Sequence, residues 1–431
     1  MKKSIRSFKK ILETFILKIM KAFFPIFLLY FIDNFSLALV IPVLSSVILG
    51  SQSDLIASSL FWKNISLATL GTVFPLALLF GAPLIGIISD AIGRKKSFYI
   101  TITGMVLGNL LVAFAFYISH FVLLVLGRLI SGFFSGNTGL CLTAISDLNP
   151  DQTKRSKYFG YLTGIGGFAW LCAMFSGGVL SNRKFDPHFS PSLPFMIAAL
   201  MGIINLITLI YLFKETHPKK KKIKWELTKG PKKLFKVFRI SKLRFLLFIQ
   251  SLFLLSWMMI FQSFSSYSFL EFNSPPTWIA LCFLGLSWIL GSSLTNRFLI
   301  KWFSLINIPY YGLLALSLLL CIASFTHKFV SLSIFDCTAA FIASFTAANI
   351  FNLISFSAPS RVQGEIMGLS QAVIAMIQIL APIVIGLFFL HYTLIYLTAS
   401  AIALGAFFLL LFHKPSLQSK IDEIQDKKNF N

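Results

Sequence analysis

The stretch GIISDAIGRKK, Gly86 to Lys96, ends one apolar run at an acid, turns through a glycine and opens the next apolar run after three cations. On its left, TLGTVFPLALLFGAPLIGIIS runs from Thr69 to Ser89; on its right, SFYITITGMVLG runs from Ser97 to Gly108. A bilayer core takes about 20 apolar residues of helix, so this stretch reads as a very tight hairpin between two membrane helices. Asp90 can face a neighbouring helix end or the cations. Gly93 permits a backbone turn that a side chain would obstruct, and Arg94, Lys95 and Lys96 hold the loop on the cytoplasmic side.

The whole chain has the same character. Of 431 residues, 56% are hydrophobic, 48 are phenylalanine and only 12% are charged, against roughly 25% charged in a soluble domain. The formal charge of +23 would suggest nucleic acid in a soluble protein, but its distribution is topological. With the spans given below, 33 of the 38 Lys and Arg fall on one side, Lys63, Arg183, Lys184 and Lys328 fall on the other, and Arg128 lies inside a span. This positive-inside bias puts both termini in the cytoplasm and excludes a nucleic-acid partner.

Hydropathy and loop charge predict an all-α membrane protein with twelve spans: 22–49, 65–89, 97–119, 121–146, 157–181, 192–213, 245–270, 276–300, 306–326, 329–356, 364–389 and 391–412. The one long loop, the basic linker 214–244, cuts the chain into an N-terminal half, 22–213, and a C-terminal half, 245–412. Residues 1–21 form a basic segment whose ILETFILKIMK portion, 11–21, reads as an interfacial helix, and 413–431 form a cytoplasmic tail. No small-residue cleavage site precedes Asp33, so a removable signal peptide is not expected. Cys141, Cys172, Cys282, Cys321 and Cys337 all lie in apolar runs without ligand-like spacing; they read as core residues, with neither disulfide nor metal expected.

The halves echo each other. Pro150, Arg155 and Gly160 after the fourth span match Pro359, Arg361 and Gly368 after the tenth. In the eighth span SSLTNRFLIK places Ser292, Asn296 and Leu299 where the opening stretch has Gly86, Asp90 and Gly93. Repeated halves with a site between them are a common transporter plan.

These residues carry a resemblance. Gly86, Asp90, Gly93, Arg94 and Lys95 match G-x-x-x-D-x-x-G-R-[KR], the loop motif of major facilitator superfamily transporters, between the second and third spans where that family has it. The chain resembles that superfamily along essentially its whole length, and most of all its twelve-span drug:proton antiporter branch, which includes the tetracycline exporters. The resemblance implies two pseudo-symmetric six-helix halves and a gating role for the motif, which in the family locks the halves together on the cytoplasmic face in the outward-open state.

Within the spans, Asp33 in YFIDNFSLALVIPVL is an isolated carboxylate, costly in a bilayer unless protonated, paired or facing water. Its spacing to Pro42 resembles the first helix of the tetracycline exporters, with Ser36 and Ala38 where that branch has glycines. Arg128 with Gly132 resembles the fourth-helix motif R-x-x-x-G, implicated in proton transfer in the family. At about 1.5 Å per residue, Asp33 lies roughly 17 Å from the cytoplasmic edge and Arg128 roughly 10 Å from the outer edge of a core about 30 Å thick. The two can meet as a proton-dependent pair; a static structural pair is the alternative.

Asp336, two turns into the tenth span, is a second proton or substrate candidate. Gly132, Gly136 and Asn137 form a small-residue stripe suited to close helix packing. Asn34, Asn137, Gln250, Trp257, Gln262, Trp288, Asn349 and Asn352 could line a cavity, or could simply bond helix to helix. In the fifth span the antiporter branch carries G-P-x-x-G-G; here Gly177 and Gly178 remain, but Ala173 and Met174 replace Gly-Pro, so the expected kink has no proline to cause it.

The reading is a transporter working by alternating access, not an enzyme. The six histidines are scattered and no nucleophile-base, paired-Asp or metal-ligand arrangement lies within the spans. It implies a small-molecule substrate, protons as coupling ion, a lipid bilayer, no cofactor, a monomer, and a bacterial inner (plasma) membrane. Export of an uncharged, amphipathic or cationic compound is the first expectation. Proton-driven uptake of a nutrient or metabolite and a transport-inactive sensor or scaffold are the alternatives.

Overall fold

A computed structural model of the protein describes residues 23–49, 59–148, 152–183, 185–216, 241–272, 277–357, 363–388 and 391–429. The expected interfacial helix at 11–21, the linker cations between 217 and 240, and Pro150, Pro359 and Arg361 of the internal repeat lie outside these residues. The described residues are helix and turn without strand.

In chain order the helices are α1 (23–38), α2 (Val40–Leu49), α3 (Leu60–Ile92), α4 (Arg94–Tyr117), α5 (Phe121–Phe134), α6 (Asn137–Leu148), α7 (Gln152–Leu180) and α8 (Leu193–Leu212). After the linker come α9 (Ser241–Glu271), α10 (Thr277–Leu290), a π-helical turn at Gly291–Thr295, α11 (Asn296–Trp302), α12 (Asn307–Ala323), α13 (Phe329–Ser357), α14 (Gln363–Leu387) and α15 (Tyr392–Asn429). Nine helical stretches among the described residues are long and apolar enough to cross a membrane. Three shorter apolar helices, Gly164–Leu180, Asn307–Ala323 and Ala372–Leu387, occupy the expected fifth, ninth and eleventh spans. The set is consistent with twelve spans. The fold is all-α because a bilayer offers backbone groups no water, so each must be bonded within its own helix.

The chain divides into two compact units, one of Met1–Val40 with Ala77–Trp225 and one of Ile41–Leu76 with Glu226–Asn431. In the first, Phe23, Ile26 and Leu29 of α1 pack with Phe98, Ile102 and Met105 of α4, Leu140, Cys141 and Ala144 of α6, and Leu209 of α8. Phe98 meets Phe213 edge-on at 5.3 Å, and Phe23 stacks on Tyr158 at 4.2 Å. Helices α4 and α5 touch through small residues: a Cβ at Gly108 would come 2.5 Å from the Ser131 nitrogen, and one at Gly127 2.8 Å from the Val112 nitrogen. The second unit contains α9–α15, with Ser256 Oγ donating to the Ala399 carbonyl between α9 and α15 and Ser317 exchanging bonds with Ser400 between α12 and α15. Without a hydrophobic force between helices in lipid, such close contacts and buried hydroxyl bonds carry the association.

Outward faces are apolar. Phe80, Leu107, Phe114 and Ile207 in the first unit, and Phe298, Ile322 and Val330 in the second, are half or more exposed. In water this would be a liability; on membrane helices it is the lipid-facing surface. Helix α7 runs unbroken through Ala173 and Met174, as the missing proline implies.

Candidate functional site

The hairpin at Gly93 is a four-element junction. Gly93 is the N-cap of α4 at φ 97°, a backbone conformation that glycine adopts without penalty. A Cβ there would also run into the Glu215 carboxylate. Having no side chain, Gly93 cannot cap α4 itself. Glu215, just past α8, does so: the Arg94 N–H donates to its Oε1 at 2.8 Å and the Lys95 N–H to its Oε2 at 3.1 Å. The carboxylate thereby satisfies two of the unpaired N–H groups at the positive end of the helix.

The Arg94 side chain is 6% exposed. Its Nη1 donates to Asp90 Oδ1 at 2.8 Å and to Ser89 Oγ at 2.6 Å, and its Nε donates to Asp147 Oδ2 at 3.2 Å. One guanidinium therefore ties the end of α3 to the end of α6, a use of its fork that lysine could not reproduce. Lys95 Nζ reaches the Ile210 carbonyl at 3.1 Å, fastening α4 to α8. Gly86 differs from Gly93: nothing lies within 4 Å of where its Cβ would be.

Deeper in the same unit, Asp33 on α1 is 5% exposed. Its Oδ1 accepts from Ser135 Oγ and, at 3.4 Å, from Asn137 Nδ2. Both donors come from the break between α5 and α6, where the fourth span loses its helical ladder for Ser135 and Gly136. A Cβ at Gly136 would come 2.6 Å from the Cα of Ala82 on α3, so the backbone passes too close for any side chain. Broken helices that present polar groups at mid-membrane are a recurrent way to build transporter sites.

Arg128 is 2% exposed and its Nη1 donates to the Ser36 carbonyl at 3.2 Å. Asn109 Nδ2 donates to the Ser36 hydroxyl at 3.2 Å. Asp33 thus bonds to Ser135 and Asn137 from the fourth span, and Arg128 bonds to the α1 backbone three residues further on. Asn34 completes the cluster, donating to the Tyr30 carbonyl and accepting from Trp170 Nε1 at 3.2 Å. Gly132 and Asn137 are buried beside the break, and Gly177 and Gly178 are buried in α7.

The second unit treats its expected site residues differently. Gln250 is 5% exposed and exchanges hydrogen bonds with Ser370 of α14 at 2.7 and 3.0 Å. Trp257 stacks on Trp288 at 5.3 Å and is 3% exposed. Gln262 is half-buried near Met258 Sδ, and Asn352 is half-buried on α13. Asn349 is fully buried and donates to Asn296 Oδ1 at 2.7 Å. Gln250, Trp257 and Asn349 thus bind helix to helix. The repeat of the opening motif is altered: Asn296 replaces the acid, Ile300 stands at the position of Arg94, and Arg297 is exposed. The π-turn precedes it, with Gly291 pressed against the Phe341 carbonyl and Ser344 of α13. Asp336 is fully buried and accepts from Tyr396 Oη at 2.7 Å.

The family model described as the Major Facilitator Superfamily matches residues 26–382. The chain belongs to the Major Facilitator Superfamily. It is an integral, multi-pass membrane protein, similar in sequence to the tetracycline resistance proteins. The class H protein of Pasteurella multocida is 29% identical over 198 residues, covering 46% of this chain and 45% of that protein. The class B protein of Escherichia coli is 30% identical over 185 residues, covering 43% and 42%. The chain thus matches less than half the length of these relatives. Among solved structures, the human organic anion transporter MFSD10 superposes with TM-score 0.66 at 17% identity, covering 90% of this chain and 99% of that one. The D-xylose-proton symporter superposes with TM-score 0.68 at 16% identity, covering 91% and 97%. These structures share the fold.

The sequence motifs led to Arg94 with Asp90, to Asp33 and to Arg128, but not to the partners Asp147, Glu215 and Ser135. Asp147 stands in the last turn of the fourth span and Glu215 just after the sixth, where an acid at a span end was a readable signal. Ser135 and Tyr396 carried none.

Proposed function

We propose that this protein is a proton-coupled exporter of a small organic compound, acting as a monomer in a bacterial plasma membrane with both termini cytoplasmic. The observation that carries the reading is the buried Asp33 carboxylate held by Ser135 and Asn137 at the break of the fourth span. Protonation turns one carboxylate oxygen from acceptor to donor. Where the proton sits on Oδ1, the Ser135 hydroxyl that donates to it reorients, and the broken segment that carries it registers the change. Arg128, bonded one turn further along the same first span, holds that helix to α5 while this happens. The tetracycline resistance proteins favour export and make tetracycline the first compound to try. Six-helix halves, 22–213 and 245–412, would rock about the midplane, with the Asp90, Arg94 and Asp147 junction fixing the cytoplasmic ends of the first half.

The test is substrate-driven proton exchange in inverted membrane vesicles, using tetracycline and then a panel of amphipathic cations. Asp33→Asn should abolish the exchange at normal protein levels. Exchange that persists in this variant removes Asp33 from the coupling step. A second reading, proton-driven uptake, is favoured by the unbroken α7, which lacks the kinked exporter segment. Substrate accumulation rather than depletion in cells expressing the protein would select it.

A further inference from the structure

The second unit contains a line of ionisable side chains that the Asp33 site does not use. Its inner end is Asp336 on α13, fully buried, with Oδ2 accepting from Tyr396 Oη at 2.7 Å and Oδ1 buried without a hydrogen-bond partner among the described residues. Tyr396 on α15 is also fully buried. One turn earlier on α15, the half-buried Tyr392 bonds through its hydroxyl to the Thr326 carbonyl at 3.2 Å and to His327 Nδ1 at 3.1 Å. His327 is exposed. Tyr392 stacks at 4.2 Å on Tyr267 of α9, which is 7% exposed and whose hydroxyl is buried without a hydrogen-bond partner among the described residues, close enough to interact electrostatically with both Tyr392 and Tyr396.

Facing Asp336 itself are Tyr396 and, on its own helix, Cys337. Glu271 on α9 interacts with Tyr267. A lone packing hydrogen bond needs one polar pair. Here polar groups run from an exposed imidazole to a fully buried carboxyl, in a membrane-spanning bundle where each such group costs free energy that an apolar side chain would not.

We propose that Asp336 is a second proton-binding site of the transporter, loaded from the His327 end of the second unit through Tyr392, Tyr267 and Tyr396. By the loop-charge bias that end is extracytoplasmic. A proton enters on the His327 ring. Tyr392 takes the proton from the ring and releases its own once its hydroxyl leaves the Thr326 carbonyl; the unpartnered Tyr267 hydroxyl swings to carry it to Tyr396, and Tyr396 delivers to Asp336 across their hydrogen bond. The net change is one proton taken up at the surface and one O–H bond formed on the carboxyl, with every tyrosine restored. The proposal rests on the proton-coupled reading above. It adds a site in the other unit and an entry route for it.

The test is infrared spectroscopy of the full chain in liposomes, without substrate. The carboxylic C=O stretch is followed after a jump from about pH 8 to about pH 5, the range in which histidine titrates. Wild-type protein should show a band that Asp336→Asn removes, Asp336→Glu moves, Tyr396→Phe shifts through loss of its hydrogen bond, and Asp33→Asn leaves in place. His327→Ala and Tyr392→Phe should keep the final amplitude and slow its appearance by roughly tenfold or more. A band insensitive to both Asp336 variants overturns the site. Unchanged kinetics in His327→Ala and Tyr392→Phe overturn the route. Because no transported compound is needed, loss of the exporter reading at Asp33 would be seen separately, in the vesicle exchange assay.

Discussion

The Glu215 carboxylate accepts from the backbone N–H of Arg94 at 2.8 Å, across a sequence separation of 121 residues. A helix is thus capped by a residue from the other end of its own unit, because its N-cap position must be glycine for the turn. Glu215→Ala exposes two orphan donors and should lower stability by about 1 kcal/mol. Glu215→Gln, which keeps one acceptor, should cost less. Thermal unfolding in detergent gives the order wild type, Gln, Ala; a wild-type midpoint for the alanine variant would mean that solvent caps α4 equally well.

The buried Arg94 predicts an asymmetry between the motif and its repeat. Asp90→Asn weakens one of three side-chain partners of a guanidinium that is 6% exposed, and hydrogen bonds to charged groups are each worth about 1.5–3 kcal/mol. Flux should be abolished with expression intact. Asn296→Ala removes a neutral bond to Asn349, whose Nδ2 still has the Phe345 carbonyl at 2.8 Å. It should cost about 1 kcal/mol of stability and leave flux within about twofold. Equal loss of flux at both positions would show that the two copies of the motif work alike.

Two glycines of similar appearance in the sequence should respond in opposite ways. Gly136→Ala forces a methyl group against the Ala82 backbone at 2.6 Å and should destabilise by about 1–3 kcal/mol through overpacking. Gly86→Ala points into open space and should change stability by no more than about 0.5 kcal/mol. Detergent melting curves of the two variants, measured side by side, decide this.

Much of the fold was readable because a bilayer simplifies the code. Hydropathy located the helices, and the three that fall short of a full span, at 164–180, 307–323 and 372–387, are still where the apolar runs predicted them. The Gly93 turn, the Arg94 junction and the isolated Asp33 were legible since an intramembrane charge or a forced turn has few explanations. Partners were not legible. The fourth span reads as one continuous apolar helix, and nothing in its sequence marks the break at Ser135 and Gly136 or the close pass of Ala82. Gln250 shows the same: a polar residue read as lining a cavity or bonding helix to helix, whose partner Ser370 comes from α14, 120 residues away. Periodicity tells which residues share a helix face, and not what that face touches.

The Asp33 site makes the sharpest functional prediction, because its two donors differ in what else holds them. Asn137 is also bonded to Met105 Sδ at 3.1 Å and to the Phe134 carbonyl at 3.2 Å, so it is a fixed part of the break. Ser135 has a rotatable hydroxyl that can answer a change on the carboxyl. Ser135→Ala should therefore keep the fold, since Gly136 and Asn137 maintain the break, yet reduce proton-driven flux by roughly tenfold, the kinetic worth of about 1.4 kcal/mol, and alter its pH profile. Asp33→Asn retains an oxygen for one donor and cannot ionise; it should remove pH-gradient-driven flux while substrate still stabilises the protein thermally. The informative comparison is flux against external pH for wild type and both variants in the same vesicles. If Ser135→Ala followed the wild-type profile, proton uptake at Asp33 would have to reach the rest of the protein by another route, and the bonded Asn137 would be the next group to change.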